Sequence, residues 1–161
     1  MRLPIEELLE EYQNRLYVAA FSICKNTYDA EDVVQDTFIK YLSKNIDYES
    51  KEHIKAWLLR VAINLAKNKT TTFFRRKVIP MEDYMQNIEI PSKESYDLFN
   101  AVMSLPQKYR IVIHLFYYED YSVKEIAEIL KISQENVKTR LARGRKQLKT
   151  ILKEEWQDDK S

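Results

Sequence analysis

Residues 121–152 read YSVKEIAEILKISQENVKTRLARGRKQLKTIL. Ser122 followed by Glu125 is an S-x-x-E capping box that opens a short helix. Val123, Ile126, Ala127 and Leu130 fall at i, i+3, i+4 and i+7 and make one apolar face. Lys131-Ile132-Ser133 forms a tight turn. Ser133 then caps a second helix that carries Lys138, Arg140, Arg143, Arg145, Lys146 and Lys149. Helix, short turn, capped basic helix is the layout of a helix-turn-helix, whose second helix enters the DNA major groove.

On a helical wheel Val137, Leu141, Gly144, Leu148 and Ile151 share one side of that second helix. Glu135, Thr139, Arg143 and Lys146 lie opposite, flanked by Lys138 and Lys149. Arginine suits guanine O6 and N7, and lysine and threonine suit phosphates or base edges. Gly144 sits mid-helix at a cost of about 1 kcal/mol against alanine, so its place on the inner side predicts a close helix crossing. A solvated basic helix in an ordinary bundle would share the charge but has no need of the capped two-helix layout.

Outward from this stretch, composition sets the frame. The chain has 161 residues, 45% of them hydrophobic, with one glycine and four prolines. So few turn residues disfavour sheets, and an all-helical protein is expected. The net charge of +1 conceals an asymmetry. Residues 131–153 are basic apart from Glu135, whereas 29–36 and 82–94 lean acidic, which suggests separate surfaces for separate partners. A single cysteine, Cys24, excludes an intrachain disulfide and fits a reducing cytosol. Without a signal pattern or a long apolar run, a soluble cytoplasmic protein with no membrane insertion is expected.

Ile5, Leu8, Leu9, Tyr12 and Leu16 predict a first amphipathic helix. Ala30, Val33, Val34, Thr37, Phe38, Tyr41 and Leu42 predict a second, started by Asp29 or Thr27. Residues 43–53 lack periodicity and read as a loop. Ile54, Trp57, Leu58, Val61, Ala62 and Leu65 predict a long third helix running past Asn68. Pro80 and Pro91 bracket an acidic stretch that reads as a linker. The expected architecture is all-α: two small helical domains, 1–77 and 96–155, joined by a flexible linker at 78–95, the second domain being the helix-turn-helix. Helices are expected at about 96–103 and 107–118, and the tail WQDDKS reads as frayed.

Two further stretches carry candidate interfaces. The outer face of the second helix presents Glu31, Asp32, Gln35 and Asp36 around Ile39. An apolar residue ringed by acids suits a protein partner rather than DNA, although a solvated acidic face with a stray isoleucine reads similarly. In the third helix Arg60, Asn64 and Lys67 form a polar stripe at i, i+4 and i+7, followed by Phe73, Phe74, Arg75, Arg76 and Lys77. Basic residues with interleaved aromatics suit a nucleic-acid backbone, including single strands with stacked bases. The alternative is that Trp57 and both phenylalanines are core, and for Trp57 that is the expected role of much of its ring. Catalytic or metal-binding sets are lacking. His53 and His114 lie in different expected domains, and His114, in the apolar VIHLF, is expected as a satisfied interior or boundary residue. Cys24 is expected to be a small buried hydrophobe. One cysteine and two histidines make no usual zinc site, and one glycine makes no phosphate loop, so no cofactor or metal is expected.

Together these stretches resemble the bacterial sigma factors of the extracytoplasmic-function (ECF) group. DAEDVVQDTFIKYL resembles the helix that docks on core RNA polymerase. IKAWLLRVAINLAKNK resembles the helix that meets the −10 promoter element. The run from SLPQKYR to GRKQLK resembles the −35-binding domain. The resemblance implies that Asp29, Glu31, Asp32, Gln35, Asp36 and Ile39 face the polymerase β′ clamp, with the β flap a second contact. It implies that the loop at 45–53, with Tyr48, and Asn64 read the −10 element around a flipped base, while Arg60, Lys67, Arg75, Arg76 and Lys77 hold the backbone. Ser133, Gln134, Glu135, Lys138, Thr139, Arg143 and Lys146 would approach the −35 groove. It also implies an anti-sigma partner.

Lys131 stands where such turns often have glycine, so either a left-handed lysine costs about 1 kcal/mol or the turn is built differently. The expected function is therefore a promoter-specificity subunit without enzymatic activity. A stand-alone dimeric regulator would need neither the Ile39 patch nor a linker. An adaptor whose basic helix binds an acidic protein would not engage polymerase on DNA.

Overall fold

The computed structural model describes the backbone of residues 1–70 and 93–160, with side chains to residue 70 and from 97 to 154. Arg75, Arg76, Lys77, the Phe73-Phe74 pair and most of the expected linker lie outside the described residues. Every regular element described is helical. The chain divides into two compact units, Met1–Pro80 and Met81–Ser161.

The first unit holds α1 (Ile5–Cys24), α2 (Thr27–Ser43) and α3 (Lys51–Thr70), each packed on the other two. Leu8, Tyr12 and Leu16 of α1 are buried as their spacing predicts, but Leu9 is exposed. The cap of α2 is Asn26, one residue before the expected start. Its side chain accepts from the Asp29 backbone N–H at 3.0 Å. In α3 the buried face is Ile54, Leu58, Leu59, Ala62, Ile63 and Ala66. Trp57, Val61 and Leu65, expected on that face, are half-buried. The third helix is apolar on adjacent stripes, and packing against both α1 and α2 selects the stripe that touches both. Cys24 is half-buried, its Sγ 3.6 Å from the Ala66 carbonyl.

The second unit holds α4 (Lys93–Met103), α5 (Gln107–Ile113), α6 (Val123–Leu130) and α7 (Gln134–Lys160). The helix α4 begins inside the stretch expected as linker. The helix α7 continues to Lys160, through most of the tail expected to fray. The helix expected over 107–118 changes at His114, where a π-helical turn runs to Tyr118 and the Glu119 N–H donates to the His114 carbonyl at 3.3 Å. The extra residue in this turn re-aims the side chains at its C-terminal end. Tyr117 and Tyr118 end exposed while Glu119 is buried. The unit's core includes Phe99, Val102, Leu105, Val112, Leu115, Ile126, Val137 and Leu141. A fully buried side chain of this size stabilises by about 1.5–3 kcal/mol.

Among the described residues every left-handed backbone position is held by a residue other than glycine: Lys25, Asp120 and Lys131. Lys25 and Lys131 are helix C-caps whose N–H groups bond back to Phe21 and Ala127. The lone glycine serves packing instead. A Cβ on Gly144 would lie 3.2 Å from two side-chain carbons of Ile113 and 3.4 Å from the Tyr109 Cβ. The close crossing expected from its place on the wheel is present, between α7 and α5.

Candidate nucleic-acid and partner interfaces

The helix-turn-helix forms as its sequence dictates. The Ser122 hydroxyl accepts from the Glu125 N–H at 3.1 Å, and the Glu125 carboxylate accepts from the Ser122 N–H at 3.0 Å. Lys131 turns the chain at φ 57°, and the Ser133 hydroxyl accepts from the Asn136 N–H at 3.0 Å. Val137, Leu141, Gly144 and Leu148 of α7 are buried. Ser133, Gln134, Glu135, Lys138, Thr139, Arg143 and Lys146 are all exposed. The structure thus brings the whole expected −35 set onto the outer side of one capped helix.

Two basic residues of α7 turn elsewhere. The Arg140 Nε donates to Asn136 at 3.1 Å. Arg145 donates to the Tyr117 hydroxyl at 2.6 Å and lies against the Phe116 and Tyr117 rings. Lys138 pairs with Glu135 at 3.6 Å with both side chains exposed. Such a pair contributes less than about 1 kcal/mol and can open for a phosphate. Behind α7, Leu98, Val102, Ile113, Tyr117, Leu148 and Leu152 line most of an apolar groove of about 370 Å³.

On α2 the acidic patch is larger than its sequence suggests. Glu31, Gln35, Asp36 and Ile39 are exposed, and Asp29 and Asp32 are half-buried. Asp32 lies 3.6 Å from the Lys69 ammonium of α3. Tyr28 at 63% and Leu42 at 59% are as exposed as Ile39 at 59%. Tyr28, Asp32, Gln35, Ile39 and Leu42 fall at i, i+4, i+7, i+11 and i+14, one face. Leu42, expected among the apolar residues of the inner face, belongs to this outer one. Its i, i+3 step from Ile39 is the signal that it continues the outer stripe.

The segment between α2 and α3 is shorter than expected. Ser50 caps α3, its hydroxyl accepting from the His53 N–H at 3.1 Å, while His53 Nδ1 accepts from the Glu49 N–H at 2.9 Å. Asn45, Asp47 and Glu49 are exposed on the remaining loop. Tyr48 is placed otherwise than its expected −10 contact requires. Its ring is 2% exposed, stacked on Tyr41 and edge-on to Trp57 and His53. Burial pushes its hydroxyl up to about 12, so it stays protonated. Tyr48 is the floor of the loop, and aromatic stacking rather than DNA accounts for its position. Asp47 beside the terminal ammonium has its carboxyl held below the usual carboxylate range. Arg60 and Asn64 are exposed on α3 and Lys67 is half-buried, one stripe leading away from the loop.

His114 is interior but not satisfied. Its Nε2 has no hydrogen-bond partner among the described residues, and burial drives its pKa down to about 4, with nearby Glu119 opposing the shift. Among the described residues no helix is long and apolar enough to cross a membrane.

Two family models divide the chain as these surfaces do. Residues 8–78 match sigma-70 region 2 and residues 96–148 match sigma-70, region 4. The RNA polymerase sigma factor SigV of Bacillus subtilis is 34% identical over 91% of this chain and 90% of its own length. The chain belongs to the ECF sigma factors. A second relative, the ECF RNA polymerase sigma factor SigW of the same bacterium, is 27% identical over 92% of this chain and 88% of its own. The fold is that of the sigma factor RpoE of Bartonella quintana, solved in complex with the anti-sigma factor NepR. The two share a TM-score of 0.69 and 24% identity over 92% of this chain and 96% of that one. In this sigma factor, region 2 carries the acidic patch, the 44–50 loop and the α3 stripe, and region 4 carries the helix-turn-helix.

Proposed function

We propose that this sigma factor binds core RNA polymerase, reads −35 and −10 promoter elements and promotes DNA opening. The observation that carries the reading is the segregation of the exposed surfaces. One unit presents acids around Tyr28, Ile39 and Leu42, and the other presents the basic outer side of α7. An acidic face with apolar centres repels DNA and suits a basic protein partner, here the β′ clamp. The basic helix suits phosphates and base edges, with Arg143 the candidate for a guanine.

On this reading residues 1–77 form the core- and −10-binding domain and 96–155 the −35 domain. Asn64 and the exposed loop residues meet the −10 strand while Arg60 and Lys67 hold its backbone. Extruding a base costs a few kcal/mol of unstacking, which contacts to the extruded base offset. The β flap takes the apolar groove beside Tyr117. By analogy with the solved relative, an anti-sigma factor controls the protein.

The test is run-off transcription by reconstituted holoenzyme. Asp32→Arg with Asp36→Arg is expected to abolish pull-down of core polymerase while the circular-dichroism melt stays cooperative. Arg143→Ala is expected to weaken the −35 footprint by about 1–3 kcal/mol with core binding intact. Undiminished core pull-down by the double variant would remove the acidic patch from the interface.

A further inference from the structure

Three residues ahead of α1 hold the loop after α2. Arg2 lies at the C-terminal end of α2 with its guanidinium 4.5 Å from the centre of the Tyr41 ring. One guanidinium nitrogen donates to the Lys44 carbonyl at 2.9 Å and to the Ile46 carbonyl at 3.3 Å. The other donates to the Tyr41 carbonyl at 2.9 Å. Leu3 pairs with the Tyr41 hydroxyl through both its backbone groups, each at 2.9 Å. The Tyr48 N–H donates to the Met1 carbonyl at 3.2 Å.

The last carbonyls of a helix lack partners within it and carry the negative end of its dipole. A planar cation with several donors satisfies carbonyls that diverge, as one ammonium cannot do equally well. Arg2 therefore ties the end of α2 to the loop beyond it. Tyr41, held by Leu3, stacks on Tyr48 at 5.6 Å between ring centroids. Both ends of the tie converge on the floor beneath Asn45, Asp47 and Glu49.

We propose that Arg2 is a positioning residue for recognition of the −10 element. It fixes the backbone of residues 44–46 so that the exposed loop side chains meet the promoter strand in one register. This rests on the reading of that loop as a −10 element. Arg2 itself touches no base. Its loss would leave the acidic patch and the helix-turn-helix in place and loosen only the loop.

The experiment is run-off initiation by reconstituted holoenzyme on promoters that differ by single −10 bases, any purification tag being at the C-terminal end. Arg2→Ala is expected to lower initiation at the preferred promoter by about tenfold, the scale of a lost charge-assisted hydrogen bond. The spread between preferred and disfavoured −10 bases should narrow, with core affinity and the −35 footprint within about twofold of the parent. Alanine substitutions at Asn45, Asp47 and Glu49 serve as the second arm. If they shift −10 preference and Arg2→Ala does not, the positioning role is overturned and the loop reading stands. If neither shifts it, the loop reading fails and the role of Arg2 falls with it. Core affinity falling in parallel with initiation, at unchanged base preference, would mark Arg2 as merely stabilising the fold and also overturn the proposal.

Discussion

His114 shows how much one residue depends on its surroundings. Its setting in VIHLF predicts an interior residue, and interior it is, at the start of a π-helical turn, but its Nε2 has no partner among the described residues. With its pKa near 4 in the fold against 6.5 unfolded, it stays neutral when folded. Between these values the unfolded chain takes up a proton that the folded chain refuses, so stability falls as pH falls through that window. The whole effect is about 3 kcal/mol. His114→Gln is expected to remove this slope, read as the difference in melting temperature between about pH 7 and about pH 4.5 against the parent. Equal pH slopes for the two proteins would exclude His114 as its source. Tyr48 makes the complementary point. Its place in a loop suggests exposure, but the ring has three aromatic neighbours.

At the scale of elements, α7 and α3 contrast. The inner and outer sides of α7 are legible in sequence because Val137, Leu141, Leu148 and Ile151 keep one stripe and the residues opposite are mostly charged or polar. The helix α3 is apolar on more than one side, so periodicity cannot select Leu59 and Ile63 over Val61 and Leu65. The contact of α7 with α5 also sets a size limit at Gly144. Alanine there gains about 1 kcal/mol of helix propensity but presses a Cβ against Ile113. Gly144→Ala is expected to change stability by no more than about 1 kcal/mol in urea unfolding, because the Ile113 end can shift. Gly144→Val adds methyl groups with no room to go and is expected to destabilise by about 2 kcal/mol or more. A neutral valine variant would show the crossing to be looser than its distances.

For the whole molecule, each unit has its own core: α1, α2 and α3 pack mutually, and α7 packs on α4, α5 and α6. Fragments 1–80 and 81–161 are therefore each expected to keep a helical spectrum and a cooperative melt. Units of about this size bury only some 60% of their unfolded surface, so each should be marginally stable alone. A fragment that stays unfolded would show that its core needs the other half of the chain.

Sequence alone determined the helical class, the division in two and the capped helix-turn-helix with its basic face. Those come from local rules: capping chemistry, a single apolar period and the near absence of turn residues. Only the tertiary structure decided which stripe of α3 is buried, that Leu42 joins the outer patch, that Tyr48 lies beneath the loop, and that Arg2 reaches carbonyls some forty residues away. Each of these depends on which chemically competent groups the packing brings within contact, and spacing along one helix carries no information about its neighbours.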